Sequence, residues 1–469
     1  MSLREGGLQA PTRHPLDWQS EDFYDEAKCL AEMERVFDIC HGCRRCVSLC
    51  DSFPVLFDLV DESPTMELDG VDKARFQDVV DQCYLCDLCY QTKCPYVPPH
   101  EWALDYPHLM LRAKAIRFRK EGATLRDRVL TATTTVGALA SIPVVDVTVN
   151  ALNKVGVVRK VMEAVHGVHH QARVPQYHAN HLKKRLKNHQ PGAQDPQPAG
   201  PTRGRVAVFG TCYGTYNTPQ MGEDLVRVFE HNRIPTRLVQ GEKCCGMPKL
   251  ELGDLQSVAA LKEHNIPILA QAIRDGWDIV APVPSCVLMF KQELPLMFPD
   301  DADVQLVKAN IFDPFEYLMH RHKAGLLDTK FPVALGKVAY QVACHQRVQN
   351  IGLKTKEVLS LIPGTEVKAI ERCSGHDGTY AVRKETFARA MKIVKPVVNQ
   401  VKQFDPAAYT SDCPMAGSHV AHGLGDGTEP LHPLSLLRKA YASLSMVDGA
   451  PLRLFLLTLT RPTKLEFRP

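Results

Sequence analysis

Two short runs of cysteine constrain this chain more than any other feature. CHGCRRCVSLC places Cys40, Cys43 and Cys46 with two residues between neighbours and adds Cys50 after three more. CYLCDLCYQTKCP repeats the pattern with Cys83, Cys86 and Cys89, then adds Cys94 and Pro95. Thiolates spaced in this way wrap three irons of one cubane, and the fourth cysteine points away to the neighbouring cluster. On that rule one 4Fe–4S cluster takes Cys40, Cys43, Cys46 and Cys94, and the other takes Cys83, Cys86, Cys89 and Cys50. Zinc, the competing metal, is commonly held by two well-separated pairs, which neither run resembles. A segment committed to two adjacent clusters is expected to form short helices and loops and to conduct electrons. Cys29 matches no motif and reads as an ordinary helix residue.

The remaining composition sets the context. The chain has 469 residues and 16 cysteines, enough length for two to four domains. Its basic and acidic residues nearly balance, 56 against 53, so charge gives no argument for nucleic acid. The first residues, MSLREGGLQAPTRHPLDW, hold no apolar core and do not read as a signal peptide. Clustered cysteines without such a signal are expected in a reducing cytoplasm, where they bind metal rather than form disulfides. No Gly-x-Gly-x-x-Gly follows a strand pattern, so electrons are expected from a partner rather than from a bound dinucleotide.

Six regions follow one another. Residues before Asp17 read as a flexible tail. Residues 17–120 are the α-helical ferredoxin domain. Residues 121–204 hold apolar helices, TATTTVGALASIPVVDVTVNALNKVGVVRKVMEAV, and then a basic, Pro/Gly-rich linker. No run is long enough to span a membrane, but 131–165 is a candidate peripheral membrane contact as well as a candidate packing surface. Residues 205–330 and 331–444 alternate short apolar runs with helical periods, which predicts α/β units. VAVFG, TRLVQ, DIVAPV, KVAYQVA, EVKAI and AAYTS are the expected strands. Residues 445–469 form a tail with no assigned role.

The α/β units repeat. Strand-then-cysteine occurs at Cys212 and Cys344, Cys-Cys-Gly at Cys244 and Cys245 has a counterpart in Cys373-Ser374-Gly375, and Pro284 matches Pro414. Three landmarks recurring at about 130 residues indicate a tandem duplication. Strand ends of α/β units converge on one edge, so Cys212, Cys244, Cys245 and Cys286 are expected to hold a third cluster. Zinc or reactive thiols are the alternatives there. The glycine after the twin cysteines is expected to let backbone approach a bulky cluster. The second unit keeps Cys344, Cys373 and Cys413, with His345, His376 or His419 as candidate extra ligand, so a fourth cluster is less secure. The fold class is therefore α+β multidomain, an α-helical two-cluster ferredoxin domain followed by two tandem α/β Cys-Cys-Gly modules.

GTCYGTYN, EKCCGMPKLELGD, PSCVLMFKQE, ACHQRVQNIG, ERCSGHDGTY and TSDCPMAG, together with the ferredoxin runs, resemble the C subunit of anaerobic glycerol-3-phosphate dehydrogenase and its relatives. Those relatives include iron–sulfur subunits of glycolate and lactate oxidases and the B subunit of heterodisulfide reductase. The resemblance implies an electron-transfer subunit rather than a stand-alone catalyst. It would link a flavoprotein dehydrogenase to an acceptor such as the quinone pool at the inner face of the cytoplasmic membrane, with 131–165 as the membrane contact. Val283, Ser374 and Ala416 depart from the family pattern of Cys-Cys-Gly plus Cys-x-x-Cys in each module. That argues against five-cysteine clusters. Cys-Ser-Gly-His also accompanies a rubrerythrin-type partner among relatives, which implies a second reading. In it the chain is a redox enzyme with a substrate-accessible cluster in the second module, for disulfide or peroxide chemistry. A metal-bound assembly scaffold is the third reading.

Overall fold

The computed structural model describes residues 11–376 and 378–442. The expected tail at 445–469 lies outside them. Among the described residues seven parallel strands form two small sheets. In the first, β1 (Val206–Val208) lies between β2 (Thr236–Leu238) and β3 (Asp278–Val280), with β4 (Ile311–Phe312) outside β3. In the second, β5 (Gly336–Gln341) lies between β6 (Thr365–Ile370) and β7 (Ala408–Ser411). The six expected strands are present, in the same order and with the same neighbours in both halves. β1 and β3 are buried along their whole length, which is how parallel strands covered by helices on both faces read as continuous apolar runs. Each half also carries one long helix with an interior proline, Pro267 in Leu255–Arg274 and Pro396 in Phe387–Phe404.

The modules and the ferredoxin segment pack into one body. Phe37, Phe53 and Leu56 of the N-terminal helices share a core with Val258, Leu269 and Phe290 of the first module. Val206 and Leu225 of the first module share another with Val338, Tyr340 and Leu437 of the second. Cys29 is buried in the helix Glu26–Cys43, as an ordinary core residue.

Two stretches expected to be loose are held. Residues before Asp17 are not a free tail from Thr12 onward. The buried Arg13 guanidinium bonds Asp87 at 2.5 Å and Asp105 at 2.8 Å and lies 3.6 Å from Glu293. The basic stretch after His181 forms the short helix Leu182–Arg185, and Leu182 is buried against Gly222. In each case apolar or charged side chains find partners distant in sequence, which local composition does not reveal.

The apolar stretch is four short helices, Leu125–Thr131, Thr133–Ala140, Val145–Leu152 and Gly156–His166. No helix among the described residues is long and apolar enough to cross a membrane, and Thr133–Ala140 and Val145–Leu152 are bent by 105° at their break. Pro143, which cannot continue a helix, sits in that break.

Candidate metal centres

The ferredoxin cysteines are placed by helix ends and left-handed turns. The helix Glu26–Cys43 ends on Cys43, and Arg44 follows at φ 51°, donating its N–H to the Cys40 carbonyl. In the second run Leu85 and Asp87 both have positive φ, 56° and 59°, so the chain coils tightly between Cys83 and Cys89. The two runs then exchange their last cysteines. Burial pushes the Cys40 thiol well up, and its thiol neighbours are Cys94, Cys46 and Cys43. Burial does the same to Cys50, whose thiol neighbours include Cys83, and to Cys89, beside Cys83 and Cys50. Cys46 borders both groups, and burial with Cys94 beside it pushes its thiol up to about 12. Each thiol resists ionisation alone because the site is dry and the neighbouring groups carry the same sign. That donor chemistry suits a cationic iron core, which relieves both penalties.

In the first module Cys212 opens a short helix after β1, Cys244 and Cys245 lie in the loop after β2, and Cys286 lies in the helix Pro284–Leu288 after β3. Cys212 Sγ is 4.0 Å from Cys244 Sγ. Donation from Cys212 and Cys245 holds the Cys244 thiol well below its ordinary range, with Thr133 and the Gly246 N–H adding to the effect. Cys244 and Cys286 beside it, with burial, push the Cys245 thiol well up. Gly246 sits at φ 105°, yet a Cβ there would meet nothing closer than Met289 Cε at 3.5 Å. The glycine after the twin cysteines is therefore required by backbone conformation, not by a close approach.

In the second module Cys344 opens a short helix after β5, Cys373 lies after β6 and accepts the Gly375 N–H at 3.3 Å, and Cys413 caps the helix after β7. His345 is buried. Its Nδ1 is 2.8 Å from Ser285 Oγ of the other module, and its Nε2 has no partner among the described residues. His376 Nε2 is also buried without a partner among the described residues, while His419 Nε2 lies 3.4 Å from the Ala390 carbonyl. Burial lowers the pKa of His376 to about 3 and of His419 to about 4.

The carboxyl ends of both sheets face one cavity of about 450 Å³. All seven module cysteines line it, with His345, His376 and His419, and the apolar helices close it through Val136, Val149 and Met162. The second ferredoxin group adjoins this cavity on the side of the second module. The Cys86 thiol feels Cys344 and Cys373 of the second module, Cys50 feels Cys373, and Cys50, Cys86 and Cys373 pack against one cluster with Tyr84 and Tyr380. Tyr84 and Tyr380 meet edge to face at 4.5 Å across this junction, and Tyr380 Oη donates to Gln82 at 2.6 Å. Lys114 places a buried cation there, donating to the Cys83 carbonyl at 2.5 Å. Ser285, Tyr84 and Tyr380 lie inside the quoted motifs with no role assigned to them there, and Lys114 lies outside every motif.

Comparison with known proteins agrees with this arrangement. Residues 39–97 match a 4Fe-4S dicluster domain, and residues 206–291 and 338–419 each match a cysteine-rich domain. The C subunit of anaerobic glycerol-3-phosphate dehydrogenase from Escherichia coli K12 is 26% identical over 336 residues, which cover 71% of this chain and 81% of that protein. The chain is homologous to that dehydrogenase component. The B subunit of the fumarate reductase (CoM/CoB) from Methanothermobacter marburgensis is 27% identical over 51% of this chain and 47% of its own length. Lactate utilization protein A of Oceanobacillus iheyensis is 24% identical over 40% of this chain and 77% of its own length. The matched 4Fe-4S dicluster domain and the two cysteine-rich domains support multiple 4Fe–4S clusters as the cofactors, and the donor sets described above fit them.

Proposed function

We propose that this chain is the iron–sulfur electron-transfer subunit of an oxidoreductase complex, taking electrons from a flavoprotein partner and passing them to an acceptor such as the quinone pool. Its relatives are named as subunits of a dehydrogenase and of a reductase. The observation that carries the reading is that Cys50, Cys86 and Cys373 pack against one apolar cluster formed by Tyr84, Tyr380, Ala381 and Ala390, which makes the ferredoxin group continuous with the module cavity.

The ligand assignment follows the thiol groups. Cys40, Cys43, Cys46 and Cys94 hold one cluster, and Cys83, Cys86, Cys89 and Cys50 hold the second. Cys212, Cys244, Cys245 and Cys286 hold the third, and Cys344, Cys373 and Cys413 hold the fourth. His345 is the imidazole best placed to complete the fourth, since Nδ1 faces Ser285 Oγ and Nε2 is left with no partner among the described residues. A hydrogen bond on the far nitrogen is the usual way a ligating imidazole is oriented. Such clusters supply one-electron storage when bound. The protein keeps them dry, orients the thiolates and packs Tyr84 against Tyr380 between the second and fourth groups.

The outer face of the apolar helices favours a peripheral membrane contact. Val144, Val147, Val157 and Val165 are each more than two-thirds exposed, and contiguous exposed apolar residues of this kind mark interaction surfaces. A second reading, catalysis inside the cavity, is favoured by the volume of about 450 Å³ that the cysteines of both modules enclose.

Freeze-quench EPR during reduction by a flavin donor tests the route. Ferredoxin signals are expected to appear before module signals, and Cys373→Ser is expected to remove a module signal only. Module signals that appear first, or a Cys373→Ser variant with every signal intact, would contradict it.

A further inference from the structure

The apolar helices between Val145 and His166 are built inside out. In Val145–Leu152 the polar side chains turn inward, where Asp146 accepts the Ala179 N–H at 2.8 Å and Asn150 donates to the Tyr177 carbonyl at 2.8 Å. In Gly156–His166 the buried Arg159 donates to the carbonyls of His169 at 2.8 Å and Ala172 at 2.7 Å, and Glu163 Oε2 lies 2.5 Å from His170 Nδ1. The apolar side chains face out instead. Val157, Val161 and Val165, spaced four apart along one face, are exposed, as are Val145, Val147 and Leu152 on the preceding helix. Val144, at the bend before that helix, is 75% exposed and sits at φ 76°, a region that β-branched residues rarely adopt. Between 128 and 166 every exposed Lys, Arg, Asp or Glu is a cation, Arg128, Lys154 and Lys160.

Water does not stabilise such a face, and burying it in a protein interface would call for about one hydrogen bond per 100–200 Å² from polar groups that are already spent inward. A row of valines flanked by lysines suits the boundary where acyl chains meet negatively charged headgroups, because burial of apolar area and attraction of the cations add there. We propose that the outer face of 144–165 docks on an anionic phospholipid bilayer, with the valines among the acyl chains and Lys154 and Lys160 against the negatively charged headgroups. The proposal rests on the membrane contact argued above and adds the lipid chemistry that it selects. Asp146 and Glu163, the acidic residues of these helices, do not oppose it, because each is held by a partner on the inner side. The same helices close the thiol cavity through Val149 and Met162, so docking turns the wall of that cavity toward the bilayer.

The test is anoxic flotation of the intact, cluster-loaded protein with two kinds of vesicle, phosphatidylcholine alone and phosphatidylcholine mixed with phosphatidylglycerol. Wild type is expected to bind the anionic vesicles about tenfold or more tighter than the neutral ones at low salt, and to lose that margin as salt screens the lysines. Lys154→Glu with Lys160→Glu is expected to erase the preference and keep the residual binding to neutral vesicles. Val144→Asp with Val157→Asp is expected to weaken binding to both kinds, with iron content and circular dichroism unchanged in each variant. Equal binding of wild type to both kinds, or a lysine variant that keeps the tenfold margin, would overturn the proposal. So would a wild-type dimer in sedimentation that Val144→Asp with Val157→Asp makes monomeric, since a second copy of the chain would then cover the face. Failure of the underlying membrane contact reads differently: wild type floats with neither kind of vesicle, and the proposal falls with it.

Discussion

Cys244 accepts from the thiols on both sides of it, so the twin cysteines act as one chelating turn rather than as two independent thiols. Cys245→Ser is expected to lower iron by about four atoms per chain, one cubane, while the reduced ferredoxin EPR signals remain. Gly375 is as constrained as the cysteine it serves. It sits at φ 71°, and a Cβ would come within 2.4 Å of the Ala390 carbonyl. Gly375→Ala is expected to cost at least ~1–2 kcal/mol from the left-handed backbone alone, read as a lower thermal midpoint together with loss of the second-module signal. The cysteines were legible because iron–sulfur ligation writes its geometry into local spacing. The glycine after them was legible as a requirement, but its cause is backbone conformation. His345 was legible only as one of three imidazoles, because the group that orients it, Ser285, lies 60 residues away in the other module.

At the scale of elements, the apolar helices from Leu125 to His166 serve two surfaces. Their inner faces close the thiol cavity and their outer faces stay exposed. Val147→Asp with Val157→Asp is expected to move the protein from membrane to soluble fractions of a lysate without lowering its iron content. Unchanged partition would remove the membrane contact from the account. The N-terminal segment is the opposite case, a stretch that reads as solvent-exposed and is docked by charge. Arg13 faces Asp87, Asp105 and Glu293, and removing one partner of a buried ion cluster leaves the others uncompensated. Arg13→Ala is expected to destabilise by about 3–5 kcal/mol, measured by chemical denaturation under anoxic conditions. The six longer strands were legible from their apolar runs. β4, only Ile311 and Phe312, is too short to show a pattern, and the docking of Arg13 depends on carboxylates far along the chain that no local window contains.

At the scale of the whole molecule, the duplication and the ferredoxin segment were readable, but their mutual placement was not. Sequence spacing brings four cysteines to one point within a module. It cannot say that Cys86 adjoins Cys344 and Cys373 rather than the twin cysteines of the first module. That choice is made by the shared cores that bind the ferredoxin helices to the modules. The central claim is that the module cysteines hold clusters continuous with those of the ferredoxin domain. Iron and acid-labile sulfide per chain, measured on anaerobically purified protein alongside low-temperature EPR of the reduced form, test it most directly. At four irons per cubane the account predicts about 16 Fe with magnetic coupling between ferredoxin and module signals. About 8 Fe, with only the two ferredoxin signals present, would contradict it.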